Sequence, residues 1–325
     1  MGSSPAGSWV DRFATERTPS GARYDEILSG ADDQPKLPSL VGIMTAVLLF
    51  LLVAPAVSQL MAALGWLLLS PGGEYADWLR AVARFDIPWG MLSAHLALIT
   101  LIPISLAIVL LVHRRHPEWL ASVRPWFRWR YLLISMAVAF VVFNLMLFAR
   151  QLGQPFPVLQ PQADYWVFLA VTVLTSPLQA AAEEFFFRGY LLQAFQTLLP
   201  RPWFGVICSA VLFALFHGTQ NLPLFLDRFA FGVLAGILVV RTGGLEAAIG
   251  AHAVNNLMAF GYAGLYSTIA QVKATQVIGW ADLAWDLGGF GVFALLALLI
   301  GRRLRLAVTT PPAGGGSSGT WPRRP

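Results

Sequence analysis

The chain has 325 residues, of which 57% are A, V, I, L, M, F, W, Y or C and only 12% are charged, whereas a soluble domain carries about 25% Asp, Glu, Lys and Arg. That balance excludes an ordinary soluble domain and makes the bilayer the expected solvent. A single cysteine, Cys208, excludes an internal disulfide framework and any zinc module built on two or four cysteines, and the net charge of +5 rests on arginines placed as topology signals, so no nucleic-acid partner is expected.

Residues 1–38 hold no apolar run and mix four Lys/Arg with six Asp/Glu, which describes a disordered, solvated tail. From Leu40 onward, apolar stretches lie near 40–70, 88–112, 131–149, 165–198, 203–217, 223–240, 245–265 and 279–301. Each suits a helix that crosses the roughly 30 Å hydrocarbon core with about 20 residues. The 40–70 and 165–198 stretches are too long for one straight crossing, and Pro55 and Pro177 offer places to kink or break. The expected fold is therefore all-α and polytopic, with about eight transmembrane helices over 39–305. Beyond that, 306–325, rich in Pro and Gly, reads as a second flexible tail.

Eight crossings put both ends on one side. The 113–130 connection carries Arg114, Arg115, Arg124, Arg128 and Arg130, so the positive-inside rule makes it cytoplasmic, and both termini with it. On this topology 16 Lys/Arg lie inside and four outside, and only Arg188 and Arg228 fall within apolar stretches.

An ionisable group at membrane depth costs at least about 2.5–3.5 kcal/mol on insertion scales, which marks Ala-Ala-Glu183-Glu184-Phe-Phe-Phe-Arg188 as functional. Glu184 and Arg188 are four apart with the acid first, the favoured order for an ion pair on a helix. Glu183 points about 100° away and is the carboxylate left to move a proton. His217 closes the run Phe213-Ala-Leu-Phe-His217, and His252 shares a helix face with Asn256, although spacing alone equally admits Asn255, three residues from His252. If the hairpin between the fourth and fifth stretches turns near Pro200, Glu183 and His217 are each 17 residues from it and meet at similar depth. His95 reads as an interhelical hydrogen-bonder, and His113 and His116 as solvated loop residues. Asp227, Arg228 and Glu246 read as interfacial groups that snorkel, and Asp282 and Asp286 as a solvated helix end.

A carboxylate and an imidazole sharing a water form a general base for hydrolysis, and an imidazole with an amide can hold an oxyanion. The set describes an amide hydrolase without a covalent nucleophile. A His-Glu-x-x-His zinc helix and a Gly-x-Ser-x-Gly elbow are both absent from the sequence. A proton-coupled transporter and a non-catalytic membrane scaffold are the alternatives, since buried Glu, His and Arg also mark ion pathways.

Glu-Glu-x-x-x-Arg at 183–188, Phe-x-x-x-His at 213–217 and His-x-x-x-Asn at 252–256, in this order, resemble the three motifs of the CAAX-protease and bacteriocin-processing (CPBP, Abi) family of intramembrane glutamic endopeptidases, which includes type II CAAX prenyl endopeptidases. Their core spans about 165–260. The resemblance implies that Glu183 and His217 activate water, that His252 and Asn256 form the oxyanion site, and that Glu184 and Arg188 orient the first group. It implies a peptide or membrane-protein substrate and no cofactor; a metal requirement, which older descriptions of the family invoke, is the less favoured reading. Abundant Arg beside two Lys resembles a high-GC bacterial composition, and the expected location is a bacterial plasma membrane.

Overall fold

In hydrocarbon every backbone N–H and C=O must find a partner within the protein, and long apolar runs therefore fold as helices. The computed structural model describes residues 9–16, 19–29, 36–124, 126–201 and 203–312, and over these the chain is an all-α, polytopic membrane protein. Its helices are α1 (Trp9–Phe13), α2 (Lys36–Leu69), α3 (Tyr75–Arg84), α4 (Pro88–Ile99), α5 (Leu101–Leu111), α6 (Trp129–Gln151), α7 (Tyr165–Glu184), α8 (Leu192–Leu198), α9 (Phe204–Leu215), α10 (Leu222–Thr242), α11 (Glu246–Tyr266), α12 (Ile269–Lys273) and α13 (Trp280–Arg303). Six segments are long and apolar enough to cross a membrane: α2, α4 with α5, α6, α7 through α8, α10 and α13. The other two expected crossings are α9, which is short, and α11, whose Glu246, His252, Asn255 and Asn256 lower its hydropathy.

Local chemistry sets the breaks. Pro103 lacks an N–H, and its ring collides with the carbonyl four residues back, which separates α4 from α5 at Thr100. Pro55 and Pro177, by contrast, lie inside helices that continue through them. The 165–198 stretch changes pitch instead at a π-helical turn, Phe185–Leu191, which joins α7 to α8. At α10, the Leu224 N–H donates to Asn221 Oδ1 at 3.2 Å, Pro223 occupies the first turn, and Gly243 supplies a left-handed stop at φ 72°.

The central core gathers Phe186, Phe187, Phe213, Phe231 and Phe293 with small residues of α7, α10 and α11. Around it α7 packs on α4 and α11, α6 on α11 and α13, and α10 on α9 and α13. Parts of both expected tails are ordered against this bundle. Tyr24 is fully buried and its hydroxyl donates to the Leu120 carbonyl, while the Ala22 N–H donates to Thr310 Oγ1 at 2.9 Å and the Thr310 N–H to the Ala22 carbonyl at 2.8 Å. Residues 1–8, 17–18, 30–35 and 313–325 of those tails lie outside the described residues.

Three groups expected near water are buried. His113 sits beside Tyr190, its Nε2 3.1 Å from the hydroxyl. Glu246 is buried at the start of α11, where Arg128 Nε donates to its Oε1 at 2.8 Å and Nη2 to its Oε2 at 2.5 Å. Arg115 is buried as well. A loop that packs back on a bundle has no periodicity to betray it, so charge density alone misplaces His113 and Arg115, while Glu246 is buried by the arginine that this loop brings to it.

Candidate active site

The two polar motifs on α7 and α11 face each other because each repeats at the four-residue spacing of one helical face. On α7 the pair is Gln179 and Glu183; on α11 it is His252 and Asn256. The helices meet antiparallel. His252 Nε2 lies 3.4 Å from Glu183 Oε2, and Asn256 Nδ2 donates to Gln179 Oε1 at 2.9 Å. Gln179 was not singled out by its motif, although its position one turn before Glu183 is the signal that locates it.

Behind Glu183, Glu184 and Arg188 are both 0% exposed, and Arg188 Nη1 donates to Glu184 Oε1 at 2.9 Å. The expected ion pair is present even though Arg188 belongs to the π turn. Its guanidinium lies 4.1 Å from the Phe213 ring centroid, 5.5 Å from that of Phe231 and 5.9 Å from that of Phe187. Ring faces thus take the place of the hydrogen-bond partners that its Nε and Nη2 lack among the described residues. His252 Nδ1 is 2.8 Å from the same Glu184 Oε1. One imidazole therefore bridges the two adjacent carboxylates, an arrangement that the pairing of His252 with Asn256 alone does not anticipate.

Phe213 explains its own four-residue spacing to His217. Its carbonyl oxygen lies 2.6 Å from His217 Nδ1, and its ring packs at 4.6 Å on the imidazole and 5.9 Å on that of His252. A carbonyl can only accept, so Nδ1 carries the proton and His217 Nε2 keeps its lone pair. His217 lies just past the end of α9, in the turn before Gly218 at φ 82°.

Glu183, His217, His252 and Asn256 line one cavity of about 700 Å³, with Gln179 at its wall. Asp227, Arg228 and Asp286 line it too, which corrects their reading as interfacial or solvated groups. Among the described residues Asp227 Oδ1 has no hydrogen-bond partner, and Arg228 Nη1 donates to Gln220 Oε1 at 2.6 Å. The expectation for His95 holds: its Nδ1 lies 2.6 Å from Thr175 Oγ1 across the α4–α7 contact. Cys208 is a half-buried thiol on α9. Among the described residues no three His, Cys, Asp or Glu side chains converge with metal-ligand spacing, and both nitrogens of His252 already face carboxylates.

Residues 162–258 match the family model described as Rce1-like, type II CAAX prenyl endopeptidase Rce1-like. The matched segment contains all three motifs, and the resemblance to the CAAX-protease family is borne out there. The chain is also 36% identical over 98 residues to the uncharacterized protein YyaK of Bacillus subtilis (strain 168), a match that covers 28% of this chain and 32% of that relative. The shared length is thus about a third of the curated relative.

Proposed function

We propose that the chain is an intramembrane endopeptidase that hydrolyses a peptide bond with a water activated by Glu183 and His217. The observation that carries this reading is the convergence on one cavity of these two side chains, which lie 34 positions apart in sequence and both within the family-matched segment. Glu183 takes a proton from the water as its oxygen attacks the carbonyl carbon, and His217 Nε2 accepts the second O–H as a hydrogen bond. The carbonyl oxygen becomes an oxyanion, stabilised by a free N–H of Asn256 and by His252. Collapse of the tetrahedral intermediate breaks the C–N bond, and Glu183 returns its proton to the leaving amine. Arg188 and Glu184 hold His252 from behind, so its ring stays directed at Glu183. The substrate is a peptide or membrane protein that reaches the cavity within a bacterial plasma membrane, and both termini are cytoplasmic.

The test is cleavage of a quenched fluorescent peptide library by the purified protein in detergent, with and without chelator. Wild type is expected to cleave in chelator, and Glu183→Gln and His217→Ala to lose about 10²–10⁴-fold in rate while eluting as folded protein. Cleavage retained in both variants would overturn the assignment. A proton-coupled carrier is the second reading, favoured by Asp227, Arg228 and Asp286 in the same cavity; it requires proton flux in liposomes that survives Glu183→Gln.

A further inference from the structure

A second cavity, of about 530 Å³, lies between the last turns of α10 and α13 and shares no lining residue with the first. It is at the end of the bundle occupied by the arginine-rich 113–130 connection, since Arg128 Nη1 donates to the carbonyl of Thr242, a lining residue, at 2.8 Å. Three arginines face it, Arg241, Arg302 and Arg305, and among the described residues no acidic side chain lines it. Among the described residues none of the three has a carboxylate within ion-pair distance. Its floor is apolar. Ile237 and Leu298 each lie four residues, one helical turn, deeper than Arg241 and Arg302.

Arg305 supplies a second, independent observation. The end of α13 is a Schellman turn, in which the Leu306 N–H donates to the Gly301 carbonyl at 3.1 Å and the Arg305 N–H to that of Arg302 at 3.0 Å. Arg305 holds the left-handed position of this turn at φ 52°, where glycine is the favoured residue and an L side chain is strained. Arg302 and Arg303 already complement the helix dipole. A third arginine placed at a strained position, facing a cation-lined cavity with a greasy floor, needs a ligand to account for it.

We propose that this cavity binds the phosphodiester headgroup of an anionic phospholipid. The three guanidiniums take the phosphate oxygens, and the acyl chains run along Ile237 and Leu298 into the bilayer. Guanidinium forks match phosphate geometry, and basic pockets between helices near a membrane surface are suited to such headgroups. The site is independent of the peptidase assignment.

The experiment is thermal unfolding of the full chain in neutral mixed micelles, titrated with phosphatidylglycerol, phosphatidylcholine or sodium phosphate. Phosphatidylglycerol is expected to raise Tm saturably, and the other two to leave it unchanged. Arg241→Gln with Arg305→Gln should raise the half-saturating lipid concentration roughly thirtyfold, the loss of two headgroup-facing charges, whereas Arg303→Gln, outside the cavity, should not. Arg305→Gly relieves the left-handed strain; it should raise the lipid-free Tm while weakening lipid binding, opposite effects that a merely structural arginine does not give. Equal weakening by Arg303→Gln would reduce the site to general surface charge. Protection by sodium phosphate, or none by phosphatidylglycerol, would also overturn the proposal.

Discussion

At the scale of single residues, the site shows why some side chains announce themselves in a sequence and others do not. Glu183, Glu184 and Arg188 stand out because charge inside an apolar run has no bland explanation. Gln179 and Phe213 are ordinary members of apolar helices until a partner is placed opposite them. His113 is the clearest case of misleading context: it follows an apolar helix and precedes two arginines, yet its ring is enclosed with Tyr190. It lies beyond the membrane-spanning part of α5. Burial, and then the charge of Arg115, lower its pKa from 6.5 to about 4. The unfolded chain therefore takes up this proton first, so the stability that neutral His113 contributes is complete above about pH 6.5 and is lost as pH falls toward about 4. Tm measured in detergent at pH 7.5 and 5.0 should fall in wild type and fall less in His113→Gln, which keeps a hydrogen-bonding group beside the Tyr190 hydroxyl. Equal falls would assign the effect to another group.

At the scale of elements, close approach is built from small residues. Gly232 of α10 lies against α9 so tightly that a Cβ there would stand 2.8 Å from the Cβ of Ala210 and 3.2 Å from Arg188 Nη2. Gly232→Ala should lower stability by about 1–3 kcal/mol, as overpacking does, and Ala210→Gly in the same chain should restore part of the Tm, since the Ala210 Cα at 3.0 Å stays in the way. Eight helical segments occur where the sequence has its eight apolar stretches, because a run of about 20 apolar residues is set by bilayer thickness and needs no tertiary information. The kinks are less readable. Proline alone points to Pro55 and Pro177, but the pitch changes at Phe185–Leu191, where the π turn places Arg188 among three aromatic rings. That compensation depends on Phe213 and Phe231, from other helices, and nothing local in 185–191 encodes it.

At the scale of the whole molecule, Arg128 ties distant parts of the chain together. Besides Glu246 it reaches the carbonyls of Thr242 at 2.8 Å and Ala307 at 3.4 Å, joining the 113–130 connection, the α10–α11 turn and the C-terminal segment. Removing one member of a buried ion pair leaves the other uncompensated and costs about 3–5 kcal/mol. Glu246→Ala should therefore lower Tm sharply, while Arg128→Met with Glu246→Leu recovers a large part of the loss. The proposed topology predicts that reporters fused at either terminus are active only on the cytoplasmic side and one inserted after Gln154 only on the other; opposite sidedness of the termini would require an odd number of crossings. The α7–α11 seam sets a further condition on any motion. Two helices pinned at one point can pivot about it, but pins a turn apart, Glu183 to His252 and Gln179 to Asn256, remove both the pivot and the slide. If the proposed peptidase assignment holds, that seam acts as a fixed jamb, and the wall that admits a substrate is expected to hinge on other helices.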